Sequence, residues 1–346
     1  ESMYNKIAEV DRYVRSNDYY PIDETTLYDR LTAGYLLGTG DKYARYFSAT
    51  AYTELMNTQN GTLIGIGVEL AVDQSGYAKV IKVYDESPAK EAGIQVGNYI
   101  TAVDGTDVKS MSSVDAIQTR LRGESGTTVN VTWLDSEAAE HTADLTHSGY
   151  SSTTVDYQMV QGNVGYIRIR QFDSTTPSEL DYAIRSLSAS GAGSLVFDLR
   201  DNGGGYVELA TALADTFIDD DVIFSCEDKY GRRITYYADP GAWDVPIVLI
   251  MNQYSASASE ILAGALRDSA GAELVGTVSF GKGIMQSVYT FEDGQSGMQT
   301  TSDYWYTPGG VCVHGEGLEP DVEAELPEDA LDENYNLIRE KDAQFQ

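Results

Sequence analysis

Cysteine is scarce. Cys226 and Cys312 are the two in 346 residues, so the chain has no disulfide framework. Two buried free thiols are the simpler expectation, with a single bridge between them left open. Histidine is nearly as rare. His141, His147 and His314 are too few for a His-rich metal site. Basic residues are few as well: 23 Lys and Arg stand against 54 Asp and Glu, a formal charge of −31. Phosphate binding needs clustered Lys and Arg, so this balance excludes nucleic acid as a partner. It equally excludes a surface drawn to anionic lipid. No run of 18 apolar residues occurs, so no segment reads as a membrane-spanning helix. An initiator Met is missing at Glu1. The expectation is a fragment freed of a leader, with any membrane anchor lying outside this chain.

What remains is ample for packed cores, since 42% of the residues are hydrophobic. Tyrosine is used 25 times against 8 phenylalanines, which points to wet aromatic surface or ligand grooves as well as core. At about 150 residues per domain the length fits two to three domains.

Three regions differ in pattern. Residues 1–59 read as a helical N-terminal segment: Ile7, Val10, Tyr13 and Val14 recur at three and four residues. Pro21–Asp23 interrupts, Leu27, Leu31, Tyr35 and Leu36 resume the stripe, and Gly38–Asp41 turns. Residues 60–150 are β-rich. Leu63–Leu70, Tyr77–Tyr84, Asn98–Val103 and Gly126–Trp133 read as strands, with a short helix after Ser87-Pro88 and another over Ser113–Leu121. Residues 151–346 alternate strand and helix, which implies an α/β core with parallel strands. Val164–Ile169, Ser194–Asp198 and Val245–Met251 are its strands; Ser178–Ser188, Tyr206–Phe217 and Ser259–Asp268 are its helices. From about residue 326 the chain is acidic and reads as a loosely docked tail. The fold expected is an α/β core with an inserted β-rich domain and a helical N-terminal segment.

Two motifs are decoys. Gly276–Gly283, G-T-V-S-F-G-K-G, nearly matches a phosphate loop, but Gly283 replaces the magnesium-binding Ser or Thr. The sequence that follows is strand-like, whereas a phosphate loop opens a helix. Ser87-Pro88-Ala89-Lys90 has the S-x-x-K spacing of β-lactamases without their partner motifs, and helix capping by Ser87 explains it.

Two other segments carry chemistry. In Asn252–Asp268, N-Q-Y-S-A-S-A-S-E-I-L-A-G-A-L-R-D, a buried strand runs through small residues into an amphipathic helix. A serine at that junction meets free backbone N–H groups and the positive end of the helix dipole. A nucleophilic serine needs this, because its intermediate is an oxyanion. The plainer reading is three serines supplying one helix cap. In Gly281–Gln286, G-K-G-I-M-Q, Lys282, Ile284 and Gln286 alternate and would share one face of a strand. A lysine so placed is partly withdrawn from water, which lowers its pKa. A free lysine titrates near about 10.4 and is a poor base at neutral pH; a working base needs about 7–8. The plainer reading is a solvated lysine on an edge strand. A triad built on His314, in the loop V-C-V-H-G-E-G, is a third arrangement the residues permit, although no G-x-S-x-G elbow surrounds any serine.

S-A-S-A-S-E-I with A-G-A-L-R-D, followed by F-G-K-G-x-x-Q, resembles the carboxy-terminal processing proteases. The resemblance implies a Ser/Lys dyad of Ser257 and Lys282, with Gln286 orienting the lysine. Leu199–Gly205, L-R-D-N-G-G-G, matches the family's L-R-x-N-x-G-G, so the oxyanion hole is implied to be Gly205, or its neighbour Gly204, with Ala258. Bottom-up, three consecutive glycines between strand and helix already indicate close backbone approach to a ligand. Gly65–Leu70, Ser87–Ile100 and A-V-D-G resemble a PDZ domain, whose carboxylate-binding loop would be Gly65, Ile66, Gly67 and Val68. Leu37–Phe47, Y-T-P-G-G and G-L-E-P-D-V also match, so the resemblance runs from about residue 5 to 325.

The resemblance implies a serine endopeptidase without cofactors, organised as 1–59 helical segment, 60–150 PDZ domain and 151–346 protease core with C-terminal tail. Its partners would be protein or peptide substrates with an apolar C-terminus, and helical lead segments could pair two chains. The family works outside the bacterial cytoplasm, in the cell envelope, periplasm or secreted. The PDZ domain would turn on short linkers near Thr58–Gly61 and Gly149–Thr153. A catalytically silent PDZ scaffold is the alternative, opposed by the presence of Ser257, Lys282 and Gln286 together.

Overall fold

The computed structural model describes residues 2–59, 62–72, 75–111, 113–151, 153–160, 162–332 and 337–346. Asn60, Gly61 and Ser152, within the two expected linkers, lie outside that set.

The lead begins with α1 (Met3–Asn17) and α2 (Glu24–Gly38), capped by the side chains of Ser2 and Asp23. Proline 21 lies between them and ends the first pattern. No residue of α1 is buried, so its apolar stripe faces solvent. The lead continues as β1 (Arg45–Phe47) and α3 (Ala49–Gln59). The strand was not legible in the helical pattern, being three residues long. It gains its pairing from far down the chain, where Phe47 lies opposite Gly297 and Arg45 opposite Gln299. The compact unit formed by the lead, up to Thr53, therefore also takes in Gln286–Ser302. Asp41 accepts from the backbone N–H and hydroxyl of Thr301 at 2.8 and 3.0 Å, and the Tyr46 hydroxyl donates to Asp29 at 2.7 Å.

The second unit holds the β-rich domain and the α/β core. The β-rich domain contains β2 (Thr62–Gly65), β3 (Val68–Val72), β4 (Ala78–Val83), β5 (Tyr99–Val103), β6 (Thr106–Asp107), β7 (Thr128–Leu134), β8 (Glu140–Thr146) and β9 (Ser148–Ser151). The order β3-β4-β5-β7-β8 is antiparallel throughout, and β2 pairs with β9. Its own apolar core includes Ile66, Val80, Ile100, Ile117 and Val131. Ser87 caps α4 (Pro88–Glu91) and is fully buried, which accounts for the S-x-x-K spacing. Helix α5 (Val114–Arg120) packs along β3.

The core sheet has the order β10-β11-β12-β15-β16-β19. Its strands are β10 (Val155–Val160), β11 (Val164–Ile169), β12 (Ser194–Asp198), β15 (Ile247–Met251), β16 (Glu273–Gly276) and β19 (Val322–Glu323). All pairs are parallel except β10 with β11. The crossovers use α6 (Thr176–Ala189), α7 (Val207–Asp215) and α8 (Ala258–Ala270). Phe197 and Leu249, from adjacent strands, and Ile261, Leu262 and Leu266, from α8, are buried in one cluster. Between these elements β13 (Val222–Asp228) and β14 (Arg233–Tyr237) form a hairpin. The strand β17 (Ile284–Thr290) leads to β18 (Gly297–Tyr306), and the end of β18 pairs with β13.

Two expectations change. Lys282 lies in irregular chain just before β17, so it does not alternate with Ile284 and Gln286 within a strand. The acidic tail is not loosely docked: Asp342 and Gln344 are buried, because Arg200 supplies a buried cation for them. Cys226 and Cys312 are free thiols.

Candidate active site

The loops after β11, β12, β15 and β16 leave the carboxyl ends of neighbouring parallel strands, where an α/β sheet offers a crevice. The loop after β15 carries the three serines, and they separate into two kinds. Ser255 is buried, donating to the Leu199 carbonyl at 2.8 Å and accepting from Asn252 N–H at 3.0 Å. Ser259 is buried and donates to the Asn202 carbonyl at 3.0 Å. Both hydroxyls are structural. Ser257 alone is half-exposed, at the N-cap of α8 with φ 58° and ψ −118°. A non-glycine residue there costs of order 1–3 kcal/mol, a strain that clusters at functional sites. The geometry is a strand-to-helix elbow without the G-x-S-x-G sequence. The glycine it needs comes from the opposing loop: a Cβ on Gly204 would lie 2.9 Å from Ser257 Cβ and 3.0 Å from Ala258 N.

That loop, after β12, is held by Asn202, which is fully buried. Its side-chain amide donates to the Ile169 carbonyl at 2.9 Å, its Oδ1 accepts from Gly204 N–H at 2.9 Å, and its carbonyl accepts from Ala256 N–H at 3.0 Å. Asp201 and Asn252 exchange bonds of 2.9 and 3.1 Å, tying the same two loops again. The Gly204 N–H is thereby committed to Asn202. The N–H groups of Gly205 and Ala258 donate to no acceptor among the described residues. Gly205 sits just ahead of α7 with φ 135°, and a Cβ on it would meet the Phe172 carbonyl oxygen at 2.0 Å.

Lys282 follows β16. Its N–H donates to Glu260 Oε2 at 2.9 Å, and its carbonyl accepts from Trp305 Nε1 at 2.9 Å. Glu260 Oε2 also accepts from Ser257 N–H at 2.8 Å, so one carboxylate oxygen joins the backbones of Ser257 and Lys282. Its other oxygen accepts from the Ser279 hydroxyl at 2.5 Å and Gly281 N–H at 2.7 Å. Gly283 is required where the chain passes His314, whose backbone N lies 2.4 Å from where its Cβ would be. The Lys282 side chain is half-buried. Burial pushes its pKa below the usual lysine value, and the Glu260 carboxylate opposes part of that. The amide nitrogen of Gln286 donates to the Tyr43 carbonyl at 3.0 Å, within the lead unit. The His314 ring stands edge-on to Tyr304, centroids 5.3 Å apart. Among the described residues no group of three His, Cys, Asp or Glu side chains is arranged to hold a metal ion.

Comparison with known proteins identifies the family. Residues 163–324 match peptidase family S41, and residues 79–135 match a PDZ domain. The chain is 31% identical to the carboxy-terminal processing protease CtpA of Bacillus subtilis over 330 residues, covering 95% of this chain and 70% of that protein. The chain belongs to the carboxy-terminal processing proteases. A relative from Synechocystis, the carboxyl-terminal-processing protease, is 33% identical over 84% of this chain and 70% of its own length. Among solved structures, the photosystem II D1 C-terminal processing protease is 30% identical with a TM-score of 0.59, covering 94% of this chain and 88% of that one. An S41 protein of Bacteroides fragilis shares the fold at 15% identity, TM-score 0.60.

Sequence reasoning missed three residues that position this candidate site: Glu260, Asn202 and Trp305. For Glu260 the signal was present, since S-x-x-E from Ser257 is capping-box spacing. Replacing it with Gln turns two of the four accepted bonds against an amide NH₂. Glu260→Gln is expected to cost about 3 kcal/mol of stability in chemical denaturation, because bonds to a buried charge are the strong kind. Turnover of the folded variant should fall with it.

In the PDZ domain, Ile66 and Val68 are buried, and the carbonyls of Ile66 and Gly67 accept from Ala89 and Tyr84 at 2.8 and 3.0 Å. The N–H groups of Ile66 and Gly67 donate to no acceptor among the described residues. Gly67 has no substitute there, as its Cβ would fall 2.2 Å from Ser87 Cβ.

Proposed function

We propose that this protease uses a Ser/Lys dyad and selects its substrates by their C-terminal end. The observation that carries the reading is the single Glu260 oxygen holding both Ser257 N–H and Lys282 N–H, with Ser257 the one serine of the three that is not buried. Ser257 attacks the scissile carbonyl. Lys282, neutral before attack, takes the hydroxyl proton and returns it to the leaving amine. Gln286 is the family motif's partner for this lysine, and its side-chain amide donates to the Tyr43 carbonyl. The amides of Gly205 and Ala258 receive the oxyanion; because Gly204 N–H is already bonded, Gly205 is the preferred glycine donor. A peptide with an apolar C-terminal residue adds along β3, its carboxylate on the amides of the Gly65–Val68 loop. The site is proposed to act outside the bacterial cytoplasm. The test is digestion of a denatured protein by wild type and Ser257→Ala, with mass spectrometry of the fragments. Fragments made only by the wild type support the reading, and equal digestion refutes it.

The PDZ domain is proposed to gate the core as well as to bind. An apolar C-terminus in the groove would favour one PDZ orientation, by no more than its differential affinity for the two. A separate peptide ending in an apolar residue should then speed cleavage of a substrate too short to reach the groove. Under simple tethering, the added peptide would leave that rate unchanged or compete.

A further inference from the structure

Arg200 is the second residue of the loop that carries Gly205, and it is buried with 2% of its surface exposed. On one side Asp198 accepts from its Nε at 2.9 Å and its Nη2 at 2.5 Å. On the other, Asp342 accepts from Nη1 at 2.9 Å and pairs with Nη2 at 2.8 Å, and Gln344 Oε1 accepts from Nη1 at 3.0 Å. The guanidinium is thus clamped between two carboxylates 144 residues apart in sequence, a planar fork with both faces of its hydrogen bonding used. The segment bringing Asp342 is itself fixed. Asp342 Oδ1 accepts from the N–H groups of Gln344 and Phe345, both at 3.2 Å, and Gln344 Nε2 donates to the Ala324 carbonyl at 2.8 Å. Phe345 stands edge-on to Tyr166, with Arg339 over both rings, and the Tyr166 hydroxyl donates to Asp198 at 2.6 Å.

From Arg200 the connection to Gly205 is short. Asn202 N–H donates to the Leu199 carbonyl at 3.2 Å, Asn202 holds Gly204 N–H, and the Gly204 carbonyl accepts from Phe172 N–H at 2.9 Å. We propose that the segment Arg339–Gln346 is an internal strut of the oxyanion loop, in which Asp342 and Gln344 are positioning residues acting through Arg200 on the amide of Gly205. The inference rests on the Ser/Lys reading with Gly205 as an oxyanion donor. A misplacement of about 1 Å at such a donor is enough for a rate loss near 10²-fold.

The test compares wild type, Asp342→Ala and Gln344→Ala on a short peptide. It also compares inhibition by a peptide aldehyde, which forms a tetrahedral adduct, with inhibition by the matching alcohol, which does not. The expected result is a 10- to 100-fold lower kcat for Asp342→Ala with little change in KM. Aldehyde affinity should fall in step while alcohol affinity holds, and Asp342→Asn, which keeps one acceptor oxygen, should lie between. Unchanged kcat and aldehyde affinity would overturn the proposal, as would equal losses for aldehyde and alcohol, which mark a general structural defect. If Asp342→Ala is not recovered folded, Gln344→Ala decides: a several-fold loss in kcat and aldehyde affinity supports the strut, and wild-type values refute it. Turnover by Ser257→Ala in the same assay would instead overturn the dyad beneath it.

Discussion

Ser257→Ala should lose peptide hydrolysis by several orders of magnitude, up to about 10⁶-fold as in other serine peptidases stripped of their nucleophile. The substitution removes one oxygen and leaves the elbow's neighbours in place. Ser257 N–H still reaches Glu260, and the hydroxyls of Ser255 and Ser259 still bond Leu199 and Asn202. The loss is therefore chemical, and circular dichroism and melting temperature should be near those of wild type. Ser255→Ala and Ser259→Ala make the contrasting pair. Each removes a buried bond worth about 1 kcal/mol, and Ser255→Ala also takes the acceptor from Asn252 N–H, so each should lower stability while keeping the nucleophile. Reversed behaviour, with Ser257→Ala active and one of the others dead, would move the nucleophile.

Lys282→Arg keeps the positive charge and should still reduce turnover by about 10²–10⁴-fold, because a guanidinium cannot shed a proton near neutral pH. The backbone bonds that hold position 282, to Glu260 and from Trp305, do not involve the side chain and survive the change. The sign of the pH dependence follows from burial. Withdrawal from water favours the neutral amine and lowers the lysine pKa, against the smaller opposing pull of Glu260. The neutral amine is the active form, so kcat/KM should rise with pH through a midpoint below that of a free lysine. An active Lys282→Arg enzyme would return His314 to consideration, and His314→Ala would then be the variant that dies.

The parts of this site that could be read from sequence are those encoded within a few residues. A buried strand, small residues and an amphipathic helix in one stretch place Ser257 at a junction. Three glycines between β12 and α7 announce a close backbone approach, and Gly204 and Gly205 show what approaches: Ser257 and the Phe172 carbonyl. Long-range pairings were not legible. Nothing local to Asp342 indicates Arg200, nothing local to Trp305 indicates the Lys282 carbonyl, and β1 takes its partner from residue 297 onward. Lys282 was placed in a strand by alternation alone. The close passage of Gly281 and Gly283 against residues 313–317 keeps the chain irregular until Ile284. Gly204 shows the limit in another way, since both glycines fit the motif and only the bond from Asn202 separates their N–H groups.

The most direct measurement is the pH dependence of covalent capture by a fluorophosphonate, with the modified peptide identified by mass spectrometry. The label should sit on Ser257. Its rate should rise with pH through a midpoint below that of free lysine, and Lys282→Ala should abolish that rise while His314→Ala leaves it unchanged. Label on another residue, or a pH profile that survives in Lys282→Ala and vanishes in His314→Ala, would contradict the Ser257/Lys282 dyad.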